Sequence, residues 1–134
     1  MMEEEPIFLR VEEVLSLHKM QLKKFGGGDG VRDIGLLESA VSQAQSSFDG
    51  IFVHGNLFEM ASAYLFHIVN NHAFVDGNKR TGLLSALVFL QINGIKIHSE
   101  SEALFELTIG VAEGRLDKIN LTQKLIALAK VEPI

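Results

Sequence analysis

The sequence predicts an all-α fold, a compact helical bundle around a buried central helix with at most a short extended flap. Apolar residues recur at three- and four-residue steps through most of the chain. The two prolines, Pro6 and Pro133, lie near the ends, so neither interrupts the interior. A length of 134 residues with 47% hydrophobic content suffices for one core and is small for two. We therefore predict a single domain over residues 1–134.

The first two helices are predicted from periodicity and from their end signals. Residues 11–24 place their apolar side chains roughly on one helical stripe, and the glycines at 26–28 end it. Asp33 is a candidate N-cap for a second helix that extends to about residue 46. Residues 48–55 show no helical period and mix aromatic, β-branched and glycine residues, which indicates a loop or short extended flap. A flap there is suited to hold a substrate segment.

Two strongly apolar helices are predicted in the middle of the chain. Residues 57–69 form an amphipathic pattern, and residues 78–91 are apolar nearly all round, so the second helix is expected to be the buried central rod. Asn93-Gly94 is a typical helix end. Residues 95–98 alternate weakly and are predicted to be extended.

The C-terminal part predicts two more helices. Ser99 with Glu102, or Ser101, is a candidate cap for a helix to about residue 111. Asn120 with Gln123 resembles a capping box for a last helix to about residue 130.

Composition excludes several classes of protein. The chain has no cysteine, so neither a disulfide framework nor a thiolate metal site is available. Its first residues, Met1-Met2-Glu3-Glu4-Glu5, are acidic where a secretory signal is basic, and its longest apolar run, residues 83–90, is too short to span a bilayer. A net charge of -5 argues against direct nucleic-acid binding. We expect a cytoplasmic protein.

The densest group of titratable side chains is the nine-residue run HAFVDGNKR, residues 72–80, between the two central helices. Gly77 and Asn78 stand at a helix N-terminus, whose free N–H groups and partial positive charge attract anions. Lys79 and Arg80 add full positive charges there, which costs stability unless an anion joins them. The run therefore predicts a phosphate-binding turn.

Three further residues of this run receive separate roles. A single carboxylate, Asp76, together with phosphate oxygens suffices for Mg²⁺, which indicates a bound nucleotide triphosphate. His72 is a candidate base for an incoming hydroxyl, because imidazole titrates near neutral pH. Phe74 is assigned to packing as a structural anchor of the turn. Phosphoryl or nucleotidyl transfer would use these groups together.

Other features suggest no site. The remaining histidines have no partner at metal-ligand spacing, so they are predicted to be surface or packing residues; they are His18, His54, His67 and His98. The GGGDG stretch, residues 26–30, lacks the ending of a P-loop and is predicted to be a flexible surface linker.

The run HAFVDGNKR resembles the signature of the Fic/Doc superfamily, and its lysine in the eighth position is similar to the death-on-curing (Doc) toxin branch. Similarity extends over FGGGDGVRDIGLLESAV, TGLLSALVFLQINGIKI and the helical C-terminal part. The resemblance implies the Fic/Doc helical fold. It also implies His72 as base, Asp76 as Mg²⁺ ligand, Phe74 as buried anchor, and phosphate contacts from Asn78, Lys79 and Arg80.

Lys79 separates two chemistries within that resemblance. Most Fic proteins have glycine at this position, which leaves room for an α-phosphate and permits transfer of AMP. A lysine would fill that space and present the terminal phosphate of ATP instead, so the resemblance implies a kinase. Doc-type toxins modify a hydroxyl on a protein of the translation machinery, of the elongation factor Tu class, and so arrest growth.

The resemblance also implies a partner. The Fic autoinhibitory pattern is absent, since Thr108 stands five rather than four residues before Glu113-Gly114. Control is then expected from a separate antitoxin of a type II toxin-antitoxin pair, whose disordered segment folds on binding. One departure from the Fic pattern is Ala73, where proline is usual. Two alternatives stay open: a Fic-type protein adenylyltransferase (AMPylator), and a catalytically idle module that only binds an antitoxin.

Overall fold

The fold is all-α, as predicted. A computed structural model describes residues 5–97 and 101–129. The described helices are α1 (Val11–Phe25), α2 (Ile34–Ser42), α3 (Leu57–Asn71), α4 (Asn78–Ile92), α5 (Ser101–Ala112) and α6 (Lys118–Ala129). A short 3₁₀ turn, Gln43–Gln45, follows α2. None of the helices in this part of the chain has the length and apolar character needed to cross a membrane.

The predicted flap is a small β-hairpin. Strands β1 (Ser47–Phe48) and β2 (Ile51–Phe52) pair antiparallel. The two turn residues, Asp49 and Gly50, both have positive φ, at 57° and 78°. Such turns match the twist of a tight hairpin. Whether this flap holds a substrate segment stays a prediction.

Helix α3 occupies the centre of the fold. It packs against α2, α4, α5 and α6, and eight of its fifteen residues are buried. The prediction that α4 is the buried central rod was therefore wrong. Helix α4 presents small residues to α3, and a Cβ atom added at Gly82 would lie 2.9 Å from Val69 Cγ2. Phe89 and Leu90 of α4 are fully buried, but four of its other large apolar residues are only half-buried; they are Leu83, Leu84, Leu87 and Val88.

Two predictions for the C-terminal part differ from the structure. Helix α6 begins at Lys118 because the side chain of Asp117 accepts a hydrogen bond from Asn120 N at 2.8 Å. The predicted capping pair, Asn120 with Gln123, lies inside the helix instead. Residues 95–97 belong to no strand. The other residues of the extended and capping predictions there, 98 and 99, lie outside the described residues, as does 130 at the end of α6.

Lys118 links α6 to α3 and to the segment that follows the flap. Lys118 Nζ lies 3.0 Å from Nε2 of His67 on α3 and 3.3 Å from Nε2 of His54, which follows the flap. An ammonium group can only donate, so both rings accept at Nε2 and are neutral. Burial lowers the pKa of His67 to about 4, with smaller contributions from Lys118 and His54. Burial and then Lys118 also lower the pKa of His54, against an opposing effect of Glu59.

This arrangement makes stability depend on pH. The folded-state pKa of His67 lies below its unfolded value of about 6.5, so its contribution is present above that pH and is lost as pH falls toward 4. We expect the urea midpoint of the wild type to fall between about pH 7.5 and about pH 5. A His67→Gln variant should show a smaller fall. An equal fall in both proteins would contradict this assignment.

Candidate active site

The predicted run bridges α3 and α4 beside a surface cavity. His72 ends α3 as its C-cap, and Asn78 is the first residue of α4. The cavity has a volume of about 430 Å³, and α1, the glycines after α1, the run and α5 all contribute to its wall. The structure brings all but one of the predicted site residues to this cavity; they are His72, Asp76, Gly77, Asn78, Lys79 and Arg80. Phe74 does not line it.

His72 is exposed and has a left-handed backbone, with φ 50° and ψ 46°. The chain reverses direction at His72, and hydrogen bonds from Arg32 stabilise this reversal. The Arg32 Nε atom donates to the His72 carbonyl oxygen at 2.8 Å, and Arg32 N donates to the Ala73 carbonyl oxygen at 2.7 Å. Sequence reasoning missed Arg32, since a single arginine before a helix cap carries no signal for a contact 40 residues away.

Asn78 holds the loop closed from within. Its Oδ1 accepts from Phe74 N at 3.0 Å, and its Nδ2 donates to the Phe74 carbonyl oxygen at 3.0 Å. The same Nδ2 lies 3.4 Å from His72 Nδ1. The side chain is 6% exposed, and both ends of its amide already have partners. The predicted phosphate contact of Asn78 therefore stays a prediction, and it would come from the backbone N–H of this residue.

The side chain of Phe74 lies beneath the turn that the run forms, and Phe74 is 1% exposed. Its ring stacks on the imidazole of His18 from α1, with a centroid distance of 3.7 Å and an interplanar angle of 7°. His18 is 2% exposed. The prediction of a surface or packing role for His18 is thus confirmed as packing, directly under the site.

Asp76 faces the cavity and contacts the glycine stretch after α1. Its Oδ2 accepts from Gly28 N at 3.2 Å, and its Oδ1 accepts from Gly77 N at 3.0 Å. A Cβ atom at Gly27 would meet Asp76 Oδ2 at 3.0 Å. Residues 26–29 are exposed, as predicted for a surface linker, and the backbone at Gly27 and Gly28 also forms the wall against which the carboxylate lies.

Gly27 supplies the space that this carboxylate occupies. We expect Gly27→Ala to displace Asp76 and to weaken any Mg²⁺-dependent ligand binding by about tenfold or more. Gly26→Ala is a matched control. Gly26 also has a positive φ, 82° against 124° at Gly27, but a Cβ atom there meets nothing within 4 Å. Isothermal titration of both variants tests this, and equal affinities would refute a steric role for Gly27.

The N-terminus of α4 is strongly positive. Gly77 is its N-cap with φ 81°, and no side chain in the described part of the chain caps the first turn. Lys79 and Arg80 are exposed, and neither forms a salt bridge within residues 5–97 and 101–129. Unpaired helix N–H groups and two uncompensated cations together form a site for an anion.

Two aromatic rings position Arg80. Its guanidinium carbon lies 3.8 Å from the ring centroid of Phe25 and 4.9 Å from that of Phe105. A guanidinium held by its faces keeps its N–H edges free for other ligands. Sequence reasoning missed both rings, because they come from α1 and α5 and only the fold brings them to Arg80.

Among the residues that the structure describes, Asp76 is the one carboxylate in the cavity wall. In the described ranges, no three His, Asp or Glu side chains stand close enough together to hold a metal ion. This donor set fits a cation that retains several waters and takes its other ligands from phosphate, as Mg²⁺ does. It does not fit a metal that requires a full protein cage.

The sequence model of the Fic/DOC family matches residues 8–90. This match covers α1 to α3, the whole run and α4 as far as residue 90. The chain belongs to the Fic/DOC family. Within this family it is 35% identical over 116 residues to the protein named "Protein kinase doc" of Escherichia phage P1. The aligned region covers 85% of this chain and 89% of that protein. It is 40% identical, over 93 residues, to "Toxin Doc" of Mycolicibacterium smegmatis, with 69% of each chain covered. These two relatives place the chain in the Doc branch of the Fic/DOC family.

Proposed function

We propose that this Fic/Doc chain is the toxin of a type II toxin-antitoxin pair. It transfers the γ-phosphate of ATP to a hydroxyl group of a translation-machinery protein of the elongation factor Tu class, and thereby arrests growth. The observation that carries the proposal is the α4 N-terminus, where Lys79 and Arg80 have no acidic partner in the described ranges and lie beside Asp76 and His72. The names of the two relatives, a protein kinase and a toxin, support it.

In this proposal, different residues of the run bind the phosphates and the metal ion. The backbone N–H group of Asn78, with the side chains of Lys79 and Arg80, binds phosphate oxygens. Gly77, whose own N–H donates to Asp76 Oδ1, contributes to the phosphate site by letting the backbone approach the ligand without a side chain in the way. Asp76 is the carboxylate that would hold Mg²⁺, which when bound neutralises charge on the phosphates. Arg80 is held by aromatic faces rather than by an acid, so its charge remains available to the nucleotide.

His72 is the base in this proposal. The acceptor oxygen attacks the γ-phosphorus as its proton passes to His72, and the bond from that phosphorus to the β-phosphate oxygen breaks, which releases ADP. A ring that accepts from Asn78 at Nδ1 carries its own proton on Nε2. Proton transfer to Nε2 therefore requires the tautomer protonated at Nδ1 and the loss of this 3.4 Å contact.

In this proposal, Lys79 determines which phosphate of ATP faces the acceptor hydroxyl. Its side chain is exposed at the cavity wall, in the position where the Fic pattern has glycine and room for an α-phosphate. A lysine there favours a nucleotide whose terminal phosphate faces the acceptor. An AMPylator on the same scaffold is the alternative, and it would need the α-phosphate beside His72.

The proposal extends to partners, location and domain. A cognate antitoxin, a separate chain with a disordered segment that folds on binding, would restrain the toxin, and the relative named "Toxin Doc" supports such a partner. A translation factor as substrate places the activity in the cytoplasm. Residues 1–134 form a single Fic/Doc domain in this proposal, and the packing of α5 and α6 on α3 supports it.

Expression of the chain alone tests the toxin role. We expect wild type to arrest growth and His72→Ala to allow it, at equal protein levels. Purified wild type should bind ATP only with Mg²⁺. Absence of growth arrest together with absence of ATP binding would favour the catalytically idle antitoxin-binding module.

A further inference from the structure

His18 contacts the run at a point that packing alone does not explain. Its Nε2 lies 2.8 Å from the carbonyl oxygen of Asp76. A carbonyl oxygen only accepts, so Nε2 carries a proton and donates it. A phenylalanine or leucine at position 18 would fill the space beside Phe74 but would offer no donor to this oxygen.

The hydrogen bond fixes the orientation of one peptide group. The Asp76 carbonyl and the Gly77 N–H belong to the same planar unit and point in opposite directions. His18 holds the carbonyl end, and Asp76 Oδ1 holds the N–H end at 3.0 Å. Rotation of this peptide would break both hydrogen bonds together, and glycine at 77 offers little steric resistance to such a rotation.

The orientation of the Asp76–Gly77 peptide group affects both the Asp76 carboxylate and the N-terminus of α4. On one side it orients the Asp76 carboxylate, which Gly28 N also contacts at 3.2 Å. On the other side it leads directly into α4, whose first intrahelical hydrogen bond runs from Thr81 N to the Gly77 carbonyl oxygen at 3.0 Å. The direction of the free N–H groups of α4 therefore depends on the same unit.

We propose that His18 is a positioning residue that locks the Asp76–Gly77 peptide, and through it sets the Asp76 carboxylate and the anion-binding end of α4. The proposal rests on the proposed function for its consequence, the binding of Mg²⁺ and nucleotide. The lock itself is a property of the free protein and is measurable without a ligand.

Two substitutions separate the hydrogen bond from the packing. His18→Phe keeps a ring against Phe74 and removes the donor. His18→Gln removes the ring but retains an N–H donor on a side chain of similar reach. We expect His18→Phe to bind Mg²⁺–ATP about 10- to 100-fold more weakly than wild type. We expect His18→Gln to be the less stable variant and to remain within about threefold of wild type in binding.

Amide exchange in the ligand-free protein supplies the second readout. The Gly77 N–H should exchange about tenfold faster in His18→Phe than in wild type, with exchange in α3 unchanged. Nitrogen shifts of the imidazole in wild type should show the proton on Nε2. The proposal is overturned if His18→Phe matches wild type in Gly77 exchange, or if His18→Gln binds as weakly as His18→Phe.

Failure of the proposed function gives a different pattern. If wild type binds no Mg²⁺–ATP while Gly77 exchange still depends on the donor at position 18, the nucleotide assignment fails and the lock stands. If wild type binds Mg²⁺–ATP and neither readout responds to His18→Phe, the lock fails and the nucleotide assignment stands.

Discussion

Replacement of His72 by asparagine is expected to lower the rate of phosphoryl transfer by about 10²- to 10⁴-fold, the usual contribution of a positioned general base. Asparagine is the appropriate substitution because position 72 has φ 50°, and asparagine tolerates a left-handed backbone better than other residues with a side chain. The thermal midpoint should therefore change little. Single-turnover rates with saturating ATP measure the effect on the chemical step.

Asn70→Ala is a control for this experiment, because Asn70 is an exposed residue near the end of the same helix and has no assigned role. Its transfer rate should equal that of wild type. A His72→Asn protein that transferred phosphate at the wild-type rate would remove His72 from the chemistry.

Replacement of Asn78 by aspartate should have the second largest effect, on stability as well as on activity. Aspartate can still accept from Phe74 N, but it places an oxygen where Nδ2 now donates to the Phe74 carbonyl oxygen. We expect a loss of about 1–3 kcal/mol in the free energy of unfolding at neutral pH, since the site is buried and a buried acceptor loses its donor. Urea unfolding measures this change.

The pH dependence of Asn78→Asp provides an internal check. Protonation of the new carboxyl restores a donor toward Phe74, so the difference from wild type should shrink as pH falls below about 5. A difference that stayed constant with pH would mean that the hydrogen bonds of Asn78 do not hold the loop.

Local sequence signals predicted the helices well because their causes are local. Apolar periodicity placed α1, α3 and α4 within two residues of their observed ends. Asp33 caps α2 as predicted, and its side chain accepts from Leu36 N at 3.0 Å. The cap of α6 was misplaced because Asp117 and Asn120 are both good capping residues three positions apart. The pattern in the sequence does not rank them.

Long-range contacts explain what the sequence could not predict about the site. The run from 72 to 80 was identified because its charges are adjacent in sequence. The residues that support the run come from distant segments. His18 comes from the middle of α1, the glycines follow α1, Arg32 precedes α2, and Phe105 comes from α5. A glycine stretch without a P-loop ending resembles a linker until the fold places Asp76 against it.

Labelled ATP distinguishes most directly between transfer of the γ-phosphate, which we propose, and transfer of the nucleotidyl group. Purified protein, Mg²⁺ and a translation-factor substrate are incubated with ATP labelled at the γ-phosphate or, separately, at the α-phosphate. We expect only the γ-label to reach the substrate, and we expect His72→Asn to lower this transfer by about 10²- to 10⁴-fold. Label that reached the substrate only from the α-phosphate would rule out a kinase and identify an AMPylator.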